Sequence, residues 1–244
     1  MIIDMFTYYN EEMMLDFHIK HVYDHVDKII VIEGDRTFDG RAYESKLKLD
    51  DPKIEHHIVP LLENPQDRWE NEALQRRLAG EIAKQYDGRL FYECVDEIIN
   101  TDFYDMADQL TEPLTLALDN YYYYFNGKDT GNSSHPMPIT LKTSDITDLH
   151  TQWEHRHSFT TLEQCGWHFS YLGGADLIRQ KLEAFSHAEF DTAEVKDNLE
   201  INIEAGKDIF GRPDHQFEYV EIDKSFPKEL YNNHNRYRDY IHEA

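Results

Sequence analysis

The 244-residue chain carries 48 acidic and 24 basic residues, a formal charge of −24, with 40% hydrophobic residues and an aromatic set of 16 Tyr, 13 Phe and 3 Trp. That length suits one α/β domain or two small ones, and so acidic a surface repels nucleic acid and anionic membranes. Cys94 and Cys165 give no disulfide framework, no apolar run approaches the about 18 residues of a membrane span, and Met1-Ile2-Ile3-Asp4 lacks the regions of a signal peptide, so a cytoplasmic protein is expected.

In chain order, Ile2 to Tyr8 reads as a strand, and Asn10-Glu11-Glu12 opens a helix to about His25 with Met14, Leu15, Phe17, His18 and Val22 on its inner stripe. Lys28 to Glu33 is a continuous apolar run, as expected of a buried parallel strand, and ends in the polar loop Glu33-Gly34-Asp35-Arg36. Ile54 to Val59 is a third strand, Trp69 to Tyr86 a long helix, and Arg89 to Glu93 a fourth strand. This order predicts a mostly parallel central sheet flanked by helices, with ligands at the carboxyl ends of the strands. Pro113 to Phe125 reads as a strand and Asn126 to Pro138 as a loop. Ile139 to Lys142 and Gly166 to Tyr171 read as strands, Asp176 to Phe185 and Thr192 to Ala205 as helices, and Gly206 onward as an irregular tail with a short helix near Arg236–His242.

Two segments concentrate chemistry. Gly166-Trp167-His168-Phe169-Ser170-Tyr171-Leu172-Gly173-Gly174 joins aromatic faces, an imidazole and a glycine pair ahead of Asp176 and a helix, a composition that suits a sugar ring and an anion at a helix start. It equally suits a buried strand with a tight turn. Cys94-Val95-Asp96-Glu97-Ile98 ends a strand in adjacent acids, which fit either a divalent cation bridging a diphosphate or a solvated loop start. One of Arg76 and Arg77 can reach phosphate, or they pair with Glu72 or Glu81. Glu33 and Asp35 can accept from a nucleoside or cap their loop. His187 and Glu189 follow the glycine-pair helix, and His187 reads as a metal ligand or a diphosphate contact, or as a helix cap. The pairs His56-His57 and His155/His157 read as surface.

Together these segments resemble glycosyltransferase family 17, which includes the bisecting β-1,4-N-acetylglucosaminyltransferase. Val26-Asp27-Lys28-Ile29-Ile30-Val31-Ile32-Glu33 with Thr37-Phe38-Asp39-Gly40, the Trp69/Glu72/Arg76 helix, Val95-Asp96-Glu97-Ile98 and Gly166-Trp167-His168-Phe169-Ser170 carry the resemblance in order from Asp4 to about Tyr240. It implies a single merged GT-A-type domain, with residues 1–100 as the nucleotide-sugar half and 101–244 as the acceptor-side half. It also implies inverting transfer from a nucleotide sugar, UDP-linked and of the UDP-GlcNAc kind, to a glycan hydroxyl. On that reading Asp96 with Glu97 and His187 would hold Mn²⁺ or Mg²⁺, Asp176 would be the base with Glu189 in reserve, and His168 and Trp167 would shape the sugar pocket. Glu33, Asp35, Arg76, Gly173 and Gly174 would complete the donor site. Cys94 and Ile99 depart from the family's D-x-D-E-I-P pattern. A thiol is a poor partner for hard cations, so Cys94 also fits a nucleotide- or sugar-binding protein on a decayed transferase fold.

Overall fold

A computed structural model describes residues 1–243. The first half forms as its periodicity predicts: β1 (Ile2–Thr7), α1 (Glu12–Val22), β2 (Lys28–Gly34), β3 (Ile54–Val59), α2 (Arg68–Ala83) and β4 (Arg89–Cys94). Asp67 caps α2 by accepting from the Glu70 N–H. Strands β3, β2, β1 and β4 lie side by side and parallel. Alternate residues feed opposite cores: Ile29, Val31 and Phe91 pack beneath α1, while Ile30, Ile32, Leu90 and Tyr92 pack beneath α2. Both faces of β2 are therefore dry, which is why it reads as an unbroken apolar run.

The sheet as a whole is mixed rather than mostly parallel. After β5 (Glu97–Ile99) and α3 (Thr101–Asp105) come β6 (Leu114–Tyr122), β7 (Gly127–Asp129) and β8 (Ser134–Lys142). β8 returns antiparallel between β4 and β6. The segment read as a loop, Asn126 to Pro138, thus supplies β7 and half of β8. Its prolines masked the strand, and they are accommodated where β6 shifts register between Thr115 and Ala117 opposite Pro136. α4 (Leu149–Glu154), β9 (Thr160–Leu162) and β10 (Gly166–Ser170) follow, with β9 and β10 parallel to β6.

α5 (Gly174–Ala184) leaves the glycine pair. The helix expected over 192–205 is broken at Asn198 (φ −105°, ψ 6°) into α6 (Ala193–Asp197) and α7 (Leu199–Glu204). The tail adds β11 (Phe217–Tyr219), α8 (Lys228–Asn233) and a 3₁₀ turn at His234–Tyr240. No helix among the described residues is long and apolar enough to cross a membrane.

β10 packs antiparallel on β5, with Gly166 opposite Ile99 and His168 opposite Glu97. A Cβ at Gly166 would lie 2.1 Å from the Ile98 carbonyl oxygen, so only glycine allows this approach. Gly166→Ala should destabilise the fold by about 1–3 kcal/mol, the scale of overpacking. Urea unfolding measures it, and an unchanged midpoint would deny the contact.

Candidate active site

The parallel register brings the ends of β1, β2 and β4 level: Thr7 pairs with Ile32 on one side and Cys94 on the other. Past Cys94 the chain turns through Val95 and Asp96 into β5. The Val95 N–H donates to the Thr7 carbonyl (3.0 Å) and the Phe169 N–H to the Asp96 carbonyl (2.8 Å), which fixes the turn between β1 and β10. The Asp96 side chain is buried. Its Oδ2 receives the Lys181 ammonium at 2.7 Å and lies 3.8 Å from His168 Nε2. Lys181 Nζ also reaches Glu11 Oε1 at 3.0 Å. Asn10 Nδ2 donates to Gln180 Oε1 (2.7 Å), tying the loop after β1 to α5. Asn10 (φ 54°) and Tyr171 (φ 58°) flank this contact in the left-handed region, a strain that other packing must offset. The cavity between them, about 10 Å³, has room for one water.

Burial favours the neutral form of every group here, and the pairs decide the outcome. Burial pushes Glu11 up to about 7, with Lys181 opposing and Asp96 assisting. Burial would raise Asp96 too, but the Lys181 ammonium outweighs it and brings it down to about 2. Burial, then the neighbouring His135, hold His168 well below the ordinary imidazole value. Neutral His168 donates Nδ1–H to Asn120 Oδ1 at 3.0 Å and stacks on His135 at 3.8 Å between ring centres. His135 Nε2 donates to Glu97 Oε1 at 2.8 Å, while Glu97 Oε2 accepts the Cys94 N–H at 2.7 Å.

Glu97, His135 and His168 offer three ligand atoms within 4.8 Å of one another, and this set, buried at Glu97 and His168 and half-buried at His135, could hold a metal ion. The donor set suits a borderline transition ion better than Mg²⁺. The strand-end pair fits a hard cation poorly, because Asp96 is already matched by Lys181 and Cys94 is a thiol. Burial, then Glu97 and Asp96, push that thiol well above its usual range, and Cys94 Sγ accepts from Thr7 Oγ1 at 3.4 Å. Iodoacetamide at pH 7.5 should therefore label Cys94 slowly in the folded protein and rapidly in urea. Equal rates would deny its shielding.

Beneath the turn lies a second buried group. His18 Nδ1 donates to the Val95 carbonyl (2.9 Å), and its Nε2 sits 3.2 Å from both Asp4 Oδ2 and Glu93 Oε1. Tyr104 OH is 2.7 Å from Asp4 Oδ1 and 3.1 Å from Glu93 Oε1. Asp4, His18 and Glu93 also offer a close three-ligand set. Burial would lower His18, but Asp4 and Glu93 raise it to about 10, so it is an imidazolium at neutral pH.

The other expected residues are dispersed. Trp167 lies on the face of β10 opposite His168 and packs edge-on against His21 at 6.2 Å. Asp176, in the first turn of α5, is 93% exposed and pairs with Arg179. His187 and Glu189 pair with each other at 2.6 Å, and His187 packs on Trp69, which is 43% exposed. Arg76 is held by Glu72 and lies 3.5 Å over Trp153, whose other neighbour Arg156 is at 4.0 Å. Arg76 and Trp153 line an open groove of about 440 Å³ with Trp69 and His150. Glu33 is fully buried, paired with His56 at 2.8 Å, and its Oε1 has no partner. His56 is thus tied to the strand end rather than being a free surface group. Asp35 accepts the Leu61 N–H. Gly173 (φ 97°) and Gly174 (φ 81°) turn the chain into α5.

Glu11, Lys181, His135 and Asn120 escaped the sequence reading. Lys181 had a signal: it falls inside the stripe Ile178, Leu182, Phe185 at helical spacing, where a solvated lysine has no place. Glu11 and His135 have none, because only the fold brings them to Asp96 and Glu97.

These acids lie at the carboxyl end of a parallel-strand edge, where open α/β sheets bind ligands. The chain belongs to glycosyltransferase family 17: the family's sequence model matches residues 1–235, nearly the whole length, and membership makes it a transferase of glycosyl groups. No curated protein matches it.

Proposed function

We propose that this protein transfers a sugar from a nucleoside-diphosphate sugar, UDP-linked as the family implies, to a glycan hydroxyl with inversion, on a GT-A-type arrangement. The supporting observation is the convergence of Asp96, Lys181, Glu11 and His168 where β1, β4 and β10 meet. Residues 1–100 carry most of the donor edge and 101–244 the acceptor side, with Lys181 and His168 reaching back to the donor. Glu33, whose buried Oε1 lacks a partner, is suited to a nucleoside hydroxyl. The exposed Trp69 in the α2–α4 groove is suited to an acceptor sugar ring, whereas Trp153 is covered by arginines.

Inversion is one in-line displacement. The acceptor oxygen attacks the anomeric carbon, the bond to the diphosphate oxygen breaks, and a base takes the hydroxyl proton. We place the base at Glu11 rather than Asp176, because Glu11 is sheltered and titrates near 7 while Asp176 is solvated and ion-paired. Developing charge on the diphosphate needs fixed positive groups in so acidic a protein. A divalent ion, when bound by Glu97, His135 and His168, would add Lewis-acid stabilisation of that charge.

Asp96→Ala removes the carboxylate that orients Lys181, and transfer should fall about a hundredfold or more, the scale for a group stabilising transition-state charge. Nucleotide release from UDP-sugars in the presence of glycan acceptors measures it. Turnover near the wild-type rate would remove Asp96 from the site.

A further inference from the structure

We propose that Lys181 is the fixed cation that receives the donor diphosphate, and that Asp96 serves to hold this ammonium rather than a metal ion. The inference rests on the nucleotide-sugar reading and assigns its diphosphate contact. At a net charge of −24, an anionic donor needs a local cation. The basic residues around the site are mostly engaged: Arg76 with Glu72, Arg68 with Asp191, and Arg179 with Asp176 and Glu200. Lys181 alone of these contacts the strand-end acid. An ammonium has three donors, and Asp96 and Glu11 use two. Its side chain is 23% exposed, and the third donor has no protein acceptor among the described residues.

The motif around it agrees. With Cys94 in place of an acid, the turn presents one carboxylate, and that carboxylate is already neutralised. A hard divalent ion would have to displace Lys181 and find further oxygen ligands. A diphosphate instead takes the ammonium's third donor, leaving Asp96 and Glu11 in place. Its size exceeds the single-water cavity beside Lys181, so its entry has to part the Asn10–Gln180 contact.

The test is calorimetric titration of inorganic pyrophosphate into the whole protein in EDTA. Pyrophosphate carries neither base nor sugar, so the result does not depend on which nucleotide the donor bears. Binding should occur without metal, weaken at least about tenfold in Lys181→Met, and stay within about threefold in Lys181→Arg, as expected for loss or retention of a charge-assisted bond. Asp96→Asn removes a competing carboxylate and should keep or tighten binding in EDTA, and a loss of about tenfold or more would contradict the assignment. Lys181→Met leaves two carboxylates unmatched, so Lys181→Met/Asp96→Asn is the balanced variant, and it must also bind at least about tenfold more weakly than Asp96→Asn. Wild-type binding that appears only on adding Mn²⁺, or unchanged affinity in the balanced variant, would overturn the assignment. Pyrophosphate binding without turnover of any nucleotide sugar would instead overturn the donor reading and leave Lys181 as an anion site.

Discussion

Glu11→Gln is expected to lower transfer by about 10²–10⁴-fold, the range for removing a general base, while donor affinity stays within about threefold. The amide keeps the shape and an acceptor for Lys181 but cannot take a proton. Glu11 sits one residue ahead of α1, half-buried against Lys181, and its partial burial pushes it up to about 7. A base at that value is half ionised at neutral pH and still basic enough to deprotonate a hydroxyl as it attacks. Only the ionised form works, so turnover should rise with pH through about 7, and the variant should lose that rise. Asp176→Asn is the comparison. Its carboxylate is solvated and meets Arg179 at 2.9 Å, so its loss should change turnover less than about threefold. Full activity in Glu11→Gln with a steep loss in Asp176→Asn would reverse the two roles.

His18→Ala should cost about 3–5 kcal/mol of stability, because it leaves Asp4 and Glu93 buried against each other without their cation. The same group makes stability depend on pH. Asp4 and Glu93 raise His18 to about 10 against its ordinary 6.5. Its contribution is therefore fully present below pH 6.5 and is lost as pH rises through about 10. Urea unfolding from pH 6.5 to 10 should show falling stability in the wild type and a flatter profile in His18→Ala. A variant as stable as the wild type would mean that the cluster carries no net ion pairing. Because His18 also holds the Val95 carbonyl, the loss should reach the Asp96 turn before the protein unfolds globally.

The parallel half of the fold was legible because its signals are local. An unbroken apolar run marks β2 and a 3.6-residue stripe marks α1. The antiparallel half was hidden because Pro136 and Pro138 sit in a strand at a register shift, and because β5 and β9 are three residues each. Of the site, Asp96 and His168 were readable as unusual residues at a strand end and beside a glycine pair. Their partners were not: Glu11 lies 85 residues from Asp96, as does Lys181 on the other side, and no local pattern encodes such a meeting. Trp167 and His168 look equivalent in sequence, yet strand alternation sends one into the core and the other to Asp96. His187 and Glu189 attracted notice by composition and satisfy each other at the surface.

The most direct test is proton NMR of the reaction with UDP-GlcNAc and related UDP-sugars, offered with N-glycan and simple glycoside acceptors. The expected result is UDP release coupled to a new glycoside of inverted anomeric configuration, abolished together in Asp96→Ala and Glu11→Gln. A folded protein that turns over none of these donors, or a product that retains the donor's anomeric configuration, would contradict nucleotide-sugar transfer by single displacement at this site.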